Sequence, residues 1–462
     1  PGGRSEMKAR MLLALVVLVT GIAVTAVAVA SSDDERKSKR SSYEVWMIDQ
    51  SDTRADGGGN LFIYDGEQLT DDPSGAEAEK IDLGGEVREM CLSETGSAPK
   101  RPHMIVFNGG NESGDGNSRV AVAFVATGHV VFMDADDRTP IKCIDTGAQA
   151  HAVWPTPDQT ELIVANQADK KISRISTDYF TDTYELDPTA TLDLANGTTP
   201  SGALRQDPAL RPDNAPICPR TDDDGRVSFI TLRGGGMFVV DHRQTPMKIV
   251  AEYDKEKVHA NGCGGIQANG KMYINSGAGA LTATPTTPAN PTEHDVYAFD
   301  VDRFDRTPNP PNVPAPKLVY DYDNRTEADS HGVLLTKRER YLWVGDRQSN
   351  TMTTVNTRTD RIEDEFTLEG QASSDPAPDL LDISPKSDWV FAALRGPNPQ
   401  SGGHSAFGNT PGVGVIKVRH NGRTGRMEGV ARVTNIVGGL EKADPHAIRV
   451  RVVDHRRSGD DD

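Results

Sequence analysis

The sequence predicts an all-β fold: a seven-bladed β-propeller, closed by pairing of its N- and C-terminal strands and preceded by a secretory signal or anchor segment. Three observations carry this. One segment recurs along the chain at regular spacing, strand-like runs crowd between its copies, and the two chain ends each hold part of one repeat.

The recurring segment is clearest as AQAHAVWPTPDQTELIVANQ, Ala148 to Gln167: a polar residue or histidine, a short apolar run, a turn and a second apolar run. DSHGVLLTKRERYLWVGD, from Asp329, follows it nearly position for position, with Lys337 six residues after His331 as Pro157 is six after His151. APDLLDISPKSDWVFAALRG, from Ala377, fits with Asp379 in the histidine slot, while PHMIVFN and PHAIRVR add openings at His103 and His446. Two degenerate copies put Cys218 and Cys263 in the slot. The seven openings are spaced alternately by 45 to 48 and by 67 or 68 residues, the longer intervals carrying Pro-, Gly- and Asn-rich insertions. Further strand-like runs such as KISRIST, GMFVVDH, TMTTVNT and GVGVIKV follow the openings. Short strands at this density, with Gly, Asp and Asn turns and a period of about forty residues or more, indicate four-stranded blades around a channel.

The ends indicate closure. PHAIRVR opens a repeat with almost no chain left to complete it, whereas YEVWMID and NLFIYDG are N-terminal strands without an opening. His446 to Arg451 is therefore predicted to be the innermost strand of the blade whose outer strands come from Tyr43 to Leu83, which leaves no open edge. The propeller is assigned to 43–453 and a charged tail to 454–462.

Ahead of it, with Met7 read as a start residue, stand Lys8 and Arg10, an uncharged run from Met11 to Ala30 and a small-residue Ala28-Val29-Ala30 site. That is the layout of a signal peptide over 1–30, followed by a polar linker over 31–42. The run is also long enough to span a bilayer as an uncleaved anchor. Either way the folded part is expected outside the cytoplasm, periplasmic or secreted. The net charge of -18, from 50 Lys+Arg against 68 Asp+Glu, argues against nucleic acid and against membrane contact beyond that anchor.

In a propeller the first strand of each blade lines the channel and starts at one mouth, to which the second strand returns. Two rings of side chains are expected to meet there. The inner ring is His103, His151, Cys218, Cys263 with nearby His259, His331, Asp379 and His446; the outer ring is Asn166, Arg233, Asn275, Asp346 and Arg395. Imidazoles, a carboxylate and thiolates on one axis are what zinc or copper requires, with His151, His331 and His446 as the leading ligands. The same groups suit acid–base chemistry, with Arg233 and Arg395 for anions. A third use needs no ligand: a repeated histidine can hydrogen-bond loop backbone and fix the crossover between blades. Cys218 and Cys263 occupy equivalent slots in adjacent blades, so a disulfide is expected, which would withdraw both thiols; a Cys91–Cys143 bridge is the further pairing.

The oxygen-rich stretches Asn108 to Arg119 and Asp134 to Pro140 lack EF-hand spacing and read as solvated turns rather than calcium sites. The GGG runs at Gly57 and Gly234 lack the strand-to-helix setting of a phosphate loop. Asn111, Asn196 and Asn324 head glycosylation sequons, and 285–294 and 306–317 are Pro-rich excursions that could form a partner-docking rim.

GAQAHAVWPTPDQTELIVANQADKKISRIST, Gly147 to Thr177, resembles the YVTN-type β-propeller repeat, and the Asp329 unit is a second good match. The resemblance covers about two blades and implies the fold; it is shared by nitrous-oxide reductase propellers, methylamine-dehydrogenase heavy chains, lactonase-like propellers and zinc-chaperone propellers, so function stays open. Two function classes remain. One is an exported binding protein with a small ligand or metal ion at the channel mouth, or an extracytoplasmic protein partner at the rim. The other is a propeller enzyme, a metal-dependent oxidoreductase or lactonase-like hydrolase, using the same mouth. With no haem motif, nucleophile elbow or separate electron-transfer copper domain in this sequence, binding leads.

Overall fold

The computed structural model describes residues 42–109, 117–259, 262–277, 293–304, 313–322, 328–400 and 406–453. The predicted signal or anchor segment, the linker up to Ser41, the charged tail, the Asn111 and Asn324 sequons and most of the two Pro-rich excursions lie outside them.

Seven antiparallel sheets form the blades; six have four strands, and blade three gains a fifth short one, Leu192–Asp193. The innermost strands are Pro445–Val453, Pro102–Phe107, Ala150–Pro155, Pro216–Thr221, Gly265–Ala268, Ser330–Leu335 and Pro378–Ile383, in blades one to seven. Pro102–Phe107 is buried along its whole length, whereas the outermost strand of blade six, Arg361–Thr367, is mostly exposed. That gradient follows from packing. A hub strand is covered by its neighbours on both faces and so reads as a continuous apolar run, whereas a rim strand meets water.

The repeat has a local cause in the turn after the inner strands of blades three, six and seven. Five residues beyond the slot stand Thr156, Thr336 and Ser384 in blades three, six and seven. Their carbonyls accept from the amides of Gln159, Glu339 and Ser387, at 2.9, 2.9 and 2.7 Å. Those three residues have φ of 62°, 55° and 55°, the left-handed conformation that closes the hairpin. The six-residue spacing seen in the sequence is the spacing from channel to turn.

The blades close as predicted. Ser42–Asp49 pairs antiparallel with Pro445–Val453, Met47 opposite Ile448 and Tyr43 opposite Val452. Arg451 pins the clasp to blade two, donating from Nε to the Asn117 carbonyl at 2.7 Å and from Nη1 to the Ala135 carbonyl at 2.9 Å.

Among the described residues two short α-helices, Gly66–Asp71 and Glu86–Thr95, interrupt the strands, where the sequence offered no helical periodicity of useful length. The longer, Glu86–Thr95, ends on Gly96, whose φ of 81° lets its amide donate to the Leu92 carbonyl at 3.1 Å. It packs on the outermost strand of blade two, Pro140–Asp145, through Val87 and the Cys91–Cys143 disulfide. Glu94 accepts the Cys143 amide at 2.7 Å, so the helix covers a strand edge that would otherwise face water. Among the described residues no helix is long and apolar enough to cross a membrane.

Candidate metal and ligand site in the central channel

Six of the seven slot residues, all but Cys263, lie at a break in strand pairing. Register shifts fall between Pro102 and Met104, Ala150 and Ala152, Ser330 and Val333, and Pro378 and Leu381. A further shift, between Met47 and Asp49, lies opposite His446, and one between Pro216 and Pro219 spans Cys218. Such a bulge leaves a residue unpaired and turns its side chain out of the pleat. His103, His151, His331, Asp379 and His446 all sit on these bulges. Where the sequence predicts a mouth, the structure buries them, with exposures of 0, 4, 1, 0 and 0 %. Gly332 lets blades six and seven close up beside His331, since a Cβ there would lie 2.2 Å from the Asp379 carbonyl oxygen.

The imidazoles are locked by acceptors. Nδ1 of His151 lies 2.8 Å from the Ile217 carbonyl oxygen, and Nδ1 of His446 lies 2.8 Å from that of His103, each on the next blade. A carbonyl only accepts, so both rings carry a proton on Nδ1. Nδ1 of His103 meets Oε1 of Gln50 at 2.6 Å, and the amide nitrogen of Gln50 donates to Asp444 Oδ2 at 3.1 Å, which fixes which end of the amide faces the ring. Burial pushes all three histidines down, His151 to about 3, so they are neutral near pH 7. Each neutral ring therefore turns a bare Nε2 lone pair inward. The Nε2 atoms of His103 and His151 stand 3.1 Å apart, and the His103 and His446 rings stack with centroids 3.5 Å apart. Two bare lone pairs at that distance repel unless a cation lies between or beside them. The Nδ1 bonds are the blade-crossover contacts anticipated for a structural histidine; the Nε2 atoms are left for a ligand.

Asp379 is the other pole. Its carboxylate lies 2.9 Å from His331 Nε2, 3.7 Å from His446 Nε2, 3.2 Å from Arg347 Nη1 and 3.4 Å from Arg395 Nε. Burial favours its protonated form, but attraction to His331, His446 and Arg347 overrides this and holds the carboxyl well below its usual range. With the imidazoles neutral, the guanidiniums are the permanent charges that keep it ionised. Arg347 also binds Asp329 at 2.8 Å, and Arg395 binds Asp444 at 2.9 Å. Among the described residues of this network, Asp329, Asp379 and Asp444 thus face Arg347 and Arg395.

His331, Asp379 and His446 offer ligand atoms within 4.8 Å of one another, as do His151, Cys218 and Cys263. Cys218 and Cys263 are joined as a disulfide, which leaves His151 in that second set with His103 as its neighbour. His259 belongs elsewhere: its Nδ1 lies 2.7 Å from Asp295 and 3.4 Å from Glu293, which raise it to about 10.

The outer ring mostly organises loops. Asn166 donates to Thr146 Oγ1 at 2.8 Å, Asn275 donates to Ser330 Oγ and the His331 carbonyl at 2.9 and 2.8 Å, and Asp346 accepts the Asp329 amide at 2.9 Å. Arg233 contacts Gln167, and only Arg395 of this ring enters the charged network. Sequence reasoning missed Arg347, Gln50, Asp329 and Asp444. A signal exists for two of them: an aspartate stands two residues before the slot in Asp329-Ser-His331 and Asp444-Pro-His446.

No family model matches the chain, and no curated protein matches it in sequence. Solved structures do match in fold. The periplasmic gluconolactonase of Pseudomonas aeruginosa superposes with a TM-score of 0.54 at 13% identity, over 89% of this chain and 99% of that one. Proteins assigned as 6-phosphogluconolactonases from Bacteroides uniformis and Bacteroides fragilis give TM-scores of 0.53 and 0.51 at 13% and 12% identity. They cover 88% and 89% of this chain and 99% of each of theirs. At such identity the likeness establishes the propeller and leaves its chemistry to the residues.

Proposed function

We propose that this is an extracytoplasmic binding protein whose central channel holds one zinc or copper ion. The ligands are Nε2 of His331 and His446 and the Asp379 carboxylate, with His103 and His151 next to them. The observation that carries this reading is the proton inventory: His103, His151 and His446 are neutral with Nδ1 committed to fixed acceptors, and His446 turns its bare Nε2 toward the buried Asp379 carboxylate, 3.7 Å away, beside His331. Metal-bound histidines are held in this way, with the second ring nitrogen donating to a carbonyl or amide. Two disulfides and the export-like N-terminal layout support a location outside the cytoplasm.

The test is elemental analysis of protein purified from an oxidising compartment without chelator. About one equivalent of zinc or copper is expected, lost in His331→Ala/His446→Ala while the circular dichroism of the sheets persists. A wild-type protein that takes up neither metal from excess overturns the proposal.

A lactonase-like hydrolase is the second reading, favoured by the names of the structural neighbours. Acid release from gluconolactone in a pH-stat, abolished by Asp379→Asn, would support it over pure binding.

A further inference from the structure

The opposite end of the channel, built from the C-terminal ends of the inner strands, opens into a cavity of about 330 Å³. Its wall includes Trp154, Arg220, Ile266, Val333, Leu381 and Asp382. Arg220 is 8 % exposed, its Cζ lies 3.5 Å from the centroid of the Trp154 ring, and its Nε has no hydrogen-bond partner. Arg449, from the closing strand, lies against the same indole at 5.3 Å. Room for this arrangement is made by Gly265, where a Cβ would lie 2.6 Å from Arg220 Cγ.

Neither guanidinium is paired with a carboxylate among the described residues. The acidic influence on Arg449 is Asp382, whose oxygens also accept from the amides of Val450 and Ile383 at 2.7 and 2.8 Å. Burial, and then repulsion from Arg449, push the Arg220 pKa well down. A guanidinium nonetheless stays protonated in proteins, so Arg220 stands as a cation in a wall that also carries Asp223, Glu339 and Asp382. A buried guanidinium in a cavity wall, with no carboxylate paired to it among the described residues, is a seat for one carboxylate.

We propose that this cavity binds a small organic acid, its carboxylate seated on Arg220 and its body against Trp154 and the aliphatic wall. The remaining acidic wall residues, Asp223 and Glu339, select within the anions. They repel a doubly charged phosphate and accept hydrogen bonds from hydroxyl groups, so a singly charged hydroxy acid fits best. This site is independent of the histidine cluster, which lies at the other end of the inner strands.

The experiment is calorimetric titration of the full protein with acetate, lactate, gluconate and inorganic phosphate at constant ionic strength. At least one carboxylate should bind and raise the thermal midpoint, with affinity at least tenfold lower in Arg220→Met, which keeps the volume and removes the charge. Without ligand, Arg220→Met should melt no lower than wild type. Equal responses of the two proteins, or tighter binding of phosphate than of every carboxylate, would overturn the proposal. Trp154→Phe keeps both guanidiniums and is read independently: it should retain the heat of binding and lose the fluorescence change. A full fluorescence change in that variant also overturns the assignment.

Discussion

Replacing Arg347 by Met tests whether the charged network is the frame of the channel site. Arg347 is fully buried and holds Asp329 through Nε at 3.0 Å and Nη2 at 2.8 Å, and Asp379 through Nη1 at 3.2 Å to both oxygens. Methionine fills much of the volume but leaves Asp329 without that partner and Asp379 with Arg395 at 3.4 Å and His331 at 2.9 Å. Removing one member of a buried ion pair costs roughly 3–5 kcal/mol, because the charge left behind stays desolvated. Near the melting temperature, unfolding entropy is about 2 cal/mol/K per residue, so for a propeller of about 410 residues each kcal/mol moves the midpoint by about 1.2 °C. The expected fall is about 4–6 °C, measured by differential scanning calorimetry at pH 7. Arg347→Met/Asp379→Asn should cost less than the sum of the two single variants, by about 0.5–3 kcal/mol, since the second change removes the stranded charge. A single variant that melts within about 1 °C of wild type would refute the reasoning.

Cys91→Ala/Cys143→Ala opens a link with a sequence separation of 52; chain entropy then predicts a loss of about 4 kcal/mol in urea unfolding, and an unchanged midpoint would contradict it. Gly332→Ala should destabilise by about 1–3 kcal/mol and change the near-ultraviolet dichroism, because its Cβ collides with the blade-seven backbone rather than with a movable side chain. His259 is raised to about 10 by Asp295 and Glu293, so its folded form binds a proton more tightly than the unfolded chain. The stability it contributes is complete below about pH 6.5 and is lost as pH rises toward 10. The gap in urea midpoint between wild type and His259→Gln should therefore close between those values, and a gap that widens with pH would rule this out.

The blades and their closure were legible because they depend on local, repeated chemistry. The turns after the inner strands of blades three, six and seven use the same short hydrogen-bonded loop, as at Thr156 and Gln159, and such a unit repeats visibly in sequence. The slot that faces the channel was legible for the same reason. What the slot does was not. The bulges that aim His103, His151 and His331 are properties of pairing between strands, and no residue type marks them. The proton on His446 Nδ1 is set by a carbonyl 343 residues away, and Gln50 is oriented by Asp444 at a separation of 394. The helix Glu86–Thr95 escaped because its burial rests on Val87 and Cys91 alone, too little to make a periodic pattern. Arg220 and Trp154 sit at unrelated points of their strands and meet only through the curvature of the hub.

The claim at the centre of this account is that His103, His151 and His446 are neutral, protonated on Nδ1 and bare on Nε2. Nitrogen-15 spectra of protein labelled at histidine measure this directly. The account predicts Nδ1–H signals for His103, His151 and His446 near pH 7, and Nε2 shifts for His331 and His446 on adding one equivalent of zinc. Nε2–H tautomers or imidazolium signals from those three histidines in the metal-free protein, with no response to zinc, would contradict it.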